Sequence, residues 1–307
     1  MAKEKILVTG ATGTTGRRTV EILRDHGRQV RAIVHKESPA SARLHSLGAE
    51  VFVGDLLDFH SIRPAFDDIG PAYFCYPLRP GAIEAAALFA QAAVEAEVSA
   101  IVNISQICAR RESKSHAAFN HWIEERLLDR TGIPITHLRP TFFAEWFIYP
   151  GHLAQINSGL VRFPFRTGTH APIAGEDQAR LIAAILESPE PHAGKTYSLC
   201  GPEEHSYQEW IARLSNILGR EVRYEVTSDA ETREIFAGWY GEFPAQHIVA
   251  VAKGYDNGLF AGTDDVIEKF TGKKPMGFEE FIRQRLSLYD VGKSAPLSGP
   301  TSLKRAS

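Results

Sequence analysis

The sequence predicts an α/β protein: a doubly wound parallel sheet of the Rossmann type, followed by a smaller mixed α/β region. Three observations predict it. Short apolar runs alternate with amphipathic stretches through the first two-thirds of the chain. A glycine-rich loop directly follows the first apolar run. The chain has 307 residues, 44% apolar and 23% charged, an ordinary globular composition that suits one large domain or two.

The elements follow in order. Ile6–Thr9 reads as a buried strand, and Gly13–His26 as a helix with Val20 and Leu23 on its apolar stripe and Gly27 just past its end. Val30–Val34 is the second strand, Ser41–Leu47 a short helix closed by Gly48, and Val51–Val53 the third strand. Ser61–Phe66 is helical again, and Ala72–Tyr76 is the fourth strand. The alanine-rich stretch Ile83–Ala96 suits a helix lying close on a sheet. Ile101–Ile104 is the fifth strand, His116–Arg130 a helix ended by Gly132, and Ile135–Leu138 the sixth strand, stopped by Pro140. Right-handed crossovers between such strands give the doubly wound sheet.

After Pro150 glycine, proline and aromatic residues thicken. Residues 1–150 are therefore expected to form the dinucleotide-binding unit and 151–290 a smaller substrate region, part of which can return to the sheet. Helices are expected at Asp177–Glu187, after the capping box Ser206-Tyr-Gln-Glu209, and at Thr263–Phe270 with Thr263 as cap. Residues 291–307 carry almost no apolar periodicity and read as a mobile tail.

Composition excludes several classes. The formal net charge of −3 gives no drive toward nucleic acid or anionic membrane. No apolar run approaches a bilayer span, and the short run Ile6-Leu7-Val8 is no signal peptide. Cys75, Cys108 and Cys200 form neither a metal pattern nor a disulfide framework, which points to a reduced, cytoplasmic protein without a metal. The oligomeric state stays open.

The loop Gly10-Ala-Thr12-Gly13-Thr14-Thr15-Gly16 carries the strongest chemical signal. Its first glycine permits the strand-end turn, its second lets the backbone approach a pyrophosphate, and its third lets the helix pack close to the sheet. The N–H groups opening the helix then meet the anion. The second strand ends Val34-His35-Lys36, with no acid at its tip to take a ribose 2′-hydroxyl. With Arg17 and Arg18 opening the first helix, His35 and Lys36 favour NADP(H) over NAD(H); Lys36 as a solvated loop residue is the alternative.

The Gly-x-x-Gly-x-x-Gly spacing resembles that of extended and atypical short-chain dehydrogenases, and downstream the chain resembles the NmrA-like family of the atypical kind. The matching segments are Gly54-Asp55, Val102-Asn-Ile-Ser105, His121-Trp-Ile-Glu124, Thr131–Pro140, Pro172–Arg180, Gly194–Tyr197, Leu199–Pro202 and Thr263-Asp-Asp265. The resemblance implies that Asp55 and the Leu56 amide hold the adenine ring, unless Asp55 only caps the next turn. It places Ser105 at the carboxyl edge of the sheet, where ligands bind or where a serine merely caps a turn. Tyr76 ends the fourth strand on that edge, and Pro140, Phe142 and Phe143 are expected beside the nicotinamide.

The departures from the superfamily matter as much. Its Tyr-x-x-x-Lys acid–base pair falls, by spacing, on His116 and Asn120. His116 is then the candidate proton donor or simply a helix-start residue, and Asn120 a candidate ribose contact. His121 is expected to face a neighbour or solvent. The run Phe142, Phe143, Trp146, Phe147, Tyr149 walls a pocket for a flat aromatic substrate or packs an ordinary core. The expected function is an NADPH-dependent reductase of a quinone, dye or activated enone. The alternative is a non-catalytic NAD(P) redox sensor acting through a protein partner.

Overall fold

The computed structural model describes residues 4–290. The tail expected at 291–307 lies outside the described residues. In chain order the strands are β1 (Lys5–Val8), β2 (Val30–Val34), β3 (Glu50–Val53), β4 (Ile69–Phe74), β5 (Ala100–Ile104), β6 (Ile135–Pro140), β7 (Leu160–Phe163), β8 (Thr169–His170), β9 (Lys195–Leu199), β10 (His205–Ser206) and β11 (Arg223–Val226). The helices are α1 (Thr14–Asp25), α2 (Pro39–Ser46), α3 (Phe59–Ile62), α4 (Ala82–Glu95), α5 (His116–Asp129) and α6 (Pro150–Ser158). They continue with α7 (Gly175–Glu187), α8 (Tyr207–Leu218), α9 (Asp229–Tyr240), α10 (Glu242–Asp256), α11 (Val266–Thr271) and α12 (Phe278–Arg283).

The main sheet has the order β3-β2-β1-β4-β5-β6-β9, parallel throughout. The chain reverses direction across the sheet between β1 and β4, which opens a crevice at the carboxyl ends of the strands. One face is covered by α1 and α7 over Ile6, Val8, Leu138, Leu181 and Ile185. The other is covered by α4 and α5 over Leu7, Phe74, Phe89 and Ile101. Six of the seven buried residues of α4 are alanines, so the helix lies close to the strands. A third, aromatic core gathers Phe147, Phe163, Phe165, Tyr207, Trp210 and Phe236 in the C-terminal region.

Several expectations need correction. The sheet has a seventh strand, β9, pairing Thr136 with Lys195 through Pro140 with Leu199. Its inward residues are few and its pattern is mostly polar, because it is an edge strand. β4 starts at Ile69 and ends at Phe74, which leaves Tyr76 beyond the strand; β6 continues through Pro140, whose carbonyl accepts from the Ile107 amide at 3.0 Å. The helix expected from Ser61 begins earlier because Asp58 caps it through the amides of His60 and Ser61. The helix expected from Thr263 instead begins at Val266. Asp264 takes the Val266 amide with one oxygen and the Cys200 amide with the other, tying this helix to the end of β9.

Candidate active site

The glycine loop divides its work among three positions. Gly10 has φ +59°, a left-handed turn conformation beneath Cys75. A Cβ on Gly16 would stand 2.3 Å from the Gly10 carbonyl oxygen, so the turn and α1 fit together only with glycine there. Gly13, with φ −77°, needs no left-handed backbone, but a Cβ there would press on the Gly10 oxygen at 3.3 Å, tighter than an ordinary contact. Thr12, Gly13 and Thr14 are exposed, and α1 opens with no side-chain cap and no acid in its first turn. That leaves an uncompensated positive helix end at the crevice.

Behind the loop lies a cavity of about 340 Å³. Its walls include Thr15, Tyr76, Ser105, Pro140, Thr141, Phe142, Phe143 and His121. The hydroxyls of Thr15 and Thr141 are buried and carry no hydrogen-bond partner. Two orphaned hydroxyls, one from the first turn of α1 and one from the end of β6, both on one cavity, are groups awaiting a polar ligand. Phe142 is stacked on Phe260 at 4.7 Å between ring centres, which fixes the apolar wall opposite them. Tyr76 donates from its hydroxyl to the Pro80 carbonyl and accepts from Arg79, so its ring is held at the rim. A second cavity of about 470 Å³ shares Leu78, Phe143, Trp146 and Tyr149 with the first and adds His152, Phe236, Tyr240, Pro244 and Ile248.

At the far side of the loop, His35 and Lys36 are exposed beyond β2. The Asp55 side chain accepts from the Leu57 amide at 3.0 Å, a turn-capping bond, while its other oxygen stands 3.8 Å from His35. Leu56 is half-buried beside it against the α4 face. Arg17 and Arg18 both pair with Glu21, and Arg43 of α2 approaches the same carboxylate at 3.8 Å. One acid thus serves three guanidinium groups, and the cluster stays cationic.

Helix α5 presents a different face to the cavity than its spacing suggested. His116 is exposed, its ring near Phe243, and Asn120 is half-buried; neither lines the cavity. His121 does; its side chain is 12% exposed and faces the neighbouring Glu124 as well as the cavity. One turn earlier on that face stands Ala117, which is buried. The buried residues of α5, Ala117, Ala118, Glu124, Glu125 and Leu128, include two carboxylates, so no plain apolar stripe marks this face in the sequence.

His121 Nδ1 stands 2.9 Å from Glu124, whose side chain is 1% exposed. Burial works against an imidazolium there, but the Glu124 carboxylate and then Glu125 prevail and raise the His121 pKa. Glu125 in turn meets Arg139 of β6 in a two-bond pair. Burial pushes its pKa up, and Arg139 with the Ser105 hydroxyl holds it below the ordinary value. His247 of α10 lines the same cavity and bonds to Ser115 at 2.7 Å; burial pushes its pKa down to about 3, so it is neutral.

Comparison with known proteins decides the lineage. The family model described as the NmrA-like family matches residues 2–282. The chain belongs to the NmrA-like family. It is 25% identical over 289 residues to an NAD(P)H azoreductase of Xenophilus azovorans, covering 92% of this chain and 99% of that protein. It resembles the triphenylmethane reductase of Citrobacter sp., solved with NADP(H), at 26% identity and TM-score 0.78, over 91% of this chain and 99% of that one. NmrA, a negative transcriptional regulator solved with NADP, shares the fold at 18% identity and TM-score 0.76, covering 92% of this chain and 95% of that one. Among the described residues no helix is long and apolar enough to cross a membrane, and no group of three or more potential ligands is placed to hold a metal ion.

Proposed function

We propose that this NmrA-like protein is an NADPH-dependent reductase of a small, electron-poor aromatic acceptor, such as a quinone, a dye or an activated enone. The observation that carries the reading is the cavity itself. Two orphaned hydroxyls, of Thr15 and Thr141, face an aromatic wall at the carboxyl edge of the sheet, behind an uncapped helix N-terminus. These residues fit a nicotinamide dinucleotide. The amides of Thr12, Thr14 and Thr15 would take the pyrophosphate, the Gly13 amide being held by the Gly10 carbonyl at 3.0 Å; Asp55 and Leu56 would take the adenine, and Ser105, Pro140 and Thr141 the nicotinamide end. When bound, the dinucleotide supplies a hydride. The chain's own residues orient the acceptor, exclude water with Phe142, Phe143 and Trp146, and hold polar groups at the reacting edge.

The relatives' activities support the same reading, since both the azoreductase and the dye reductase act on extended π systems. The reductase reading accounts for the closed aromatic wall, which a non-catalytic sensor does not require. Oxidation of NADPH followed at constant protein with a panel of quinones, azo dyes, triphenylmethane dyes and enones tests it. Turnover with at least one class is expected. No turnover with any acceptor, together with tight binding of one cofactor redox form, would replace the reductase by the sensor.

A further inference from the structure

The superfamily's tyrosine and lysine have no counterpart on α5, yet the cavity is not without a proton-bearing group. His121 is the ionisable side chain of α5 that lines it, and its two nitrogens have unequal surroundings. Nδ1 is sealed from solvent and faces Glu124 at 2.9 Å. Nε2 has no protein partner and is not among the sealed polar atoms, so it is the nitrogen open to a ligand. Glu124 is itself sealed, with one carboxylate oxygen on His121 and the other without a partner. A buried carboxylate at ion-pair distance stabilises the ring's cationic form, although the contact lacks the alignment of a hydrogen bond.

Resting on the reductase reading, we propose that His121, paired with Glu124, donates the proton that completes reduction of the acceptor in this cavity. The acceptor gains two electrons and a hydrogen nucleus as hydride at its electrophilic atom. The electron pair of the reduced double bond moves onto its oxygen or nitrogen. A new O–H or N–H bond forms there as the Nε2–H bond of the imidazolium breaks, and the neutral ring regains its proton from water. The product carries one hydride and one proton, and no further reactant is needed.

The charged and titratable surroundings of His121 set the expected pH dependence. Glu124 and Glu125 on α5 favour the imidazolium, although Glu125 is already engaged by Arg139 of β6. From α10 comes His247, uncharged at its pKa of about 3, and past the end of β4 comes Cys75, whose thiol burial pushes up to about 11. Neither adds charge near neutral pH. The protonated, active form of His121 therefore persists above the usual histidine range, and kcat is expected to fall as pH rises through that shifted value.

The test uses the full chain with the acceptor it turns over best. His121→Ala is expected to lower kcat by about 10²-fold or more while the NADPH dissociation constant stays within about twofold. The alkaline limb of the wild-type kcat profile should vanish in this variant, and added imidazole should restore part of the rate. Glu124→Gln should move the limb toward lower pH, because the neutral amide no longer favours the imidazolium. His116→Ala serves as the control and should leave rate and profile unchanged. An active wild type with unaltered kcat and pH profile in His121→Ala overturns the proton role alone. Loss of rate with no change in limb position for Glu124→Gln and no imidazole rescue overturns it as well, by marking the pair as structural. A wild type inactive with every acceptor overturns the reductase reading and this role with it.

Discussion

At the scale of single residues the cofactor end of the site is a matter of charge. A 2′-phosphate on the adenosine ribose would add negative charge near the tip of β2, where His35 and Lys36 are exposed and no acid stands at the strand end. Glu21, on α1, is overmatched by Arg17, Arg18 and Arg43. A charge-assisted contact from Lys36 to phosphate is worth about 1.5–3 kcal/mol, or one to two decades in affinity. Fluorescence titration should therefore give a lower dissociation constant for NADPH than for NADH. Lys36→Ala should weaken NADPH by about tenfold or more and NADH by less than about twofold. Equal constants for both cofactors in the wild-type protein would remove the phosphate argument. Asp55 does not oppose it: one oxygen is spent on the Leu57 amide, and the other is balanced toward His35.

At the scale of elements, the site depends on how α5 is clamped to the sheet. Glu125, with no exposed side chain, reaches across to Arg139 of β6, and the pair holds α5 so that His121 meets the cavity. Removing the carboxylate leaves the guanidinium without its partner. Glu125→Ala should cost about 3 kcal/mol near neutral pH, toward the low end for a broken buried pair because Arg139 remains 26% exposed. The Glu125 pKa is lowered on folding, so its contribution is complete above the unfolded value of about 4.3 and is lost as pH falls through the folded value. Urea midpoints of wild type and Glu125→Gln should differ at pH 7 and converge as pH falls through the folded Glu125 value; a difference that persists once Glu125 is protonated in the folded state would show packing, not charge, to be the clamp. This clamp was not legible in the sequence, because nothing in a spacing says that Arg139 and Glu125 face each other. The first six strands, the glycine loop and α8 with its Ser206–Glu209 capping box were legible, since each carries a strong local pattern. The same Ser-x-x-Glu signature opens α9 at Ser228 and passed unread, as did β9, whose edge position strips it of apolar alternation. On α5 His116 and Asn120 stand off the cavity and His121 lines it, and sequence spacing alone does not tell which helical face turns toward the sheet edge.

At the scale of the whole molecule, substrate choice is decided where the sheet edge meets the C-terminal region. The first cavity is built from strand ends, the second from α6, α9 and α10, and Leu78, Phe143, Trp146 and Tyr149 belong to both. An acceptor seated at the nicotinamide end therefore has an aromatic continuation available, lined by Phe236, Tyr240 and Ile248 and carrying no ionised wall residue, since burial holds His152 neutral with a pKa of about 3. On the reductase reading, a single quinone ring is expected to occupy only the first cavity, and an acceptor with two linked rings to extend into the second. Burying the second ring adds apolar contact at about 25 cal/mol per Å², so some 60 Å² of it is worth about tenfold in binding. Two-ring acceptors should accordingly show a KM about tenfold below that of one-ring acceptors of similar reduction potential. Pro244, half-buried in the first turn of α10, lines only the second cavity, and its replacement breaks no helix hydrogen bond. Pro244→Trp should raise the KM of two-ring acceptors and leave that of one-ring acceptors, and the NADPH dissociation constant, unchanged. Steady-state kinetics with matched acceptor pairs would decide it. If Pro244→Trp affects both classes alike, or neither, the second cavity takes no part in binding and acceptor length is set within the first cavity alone.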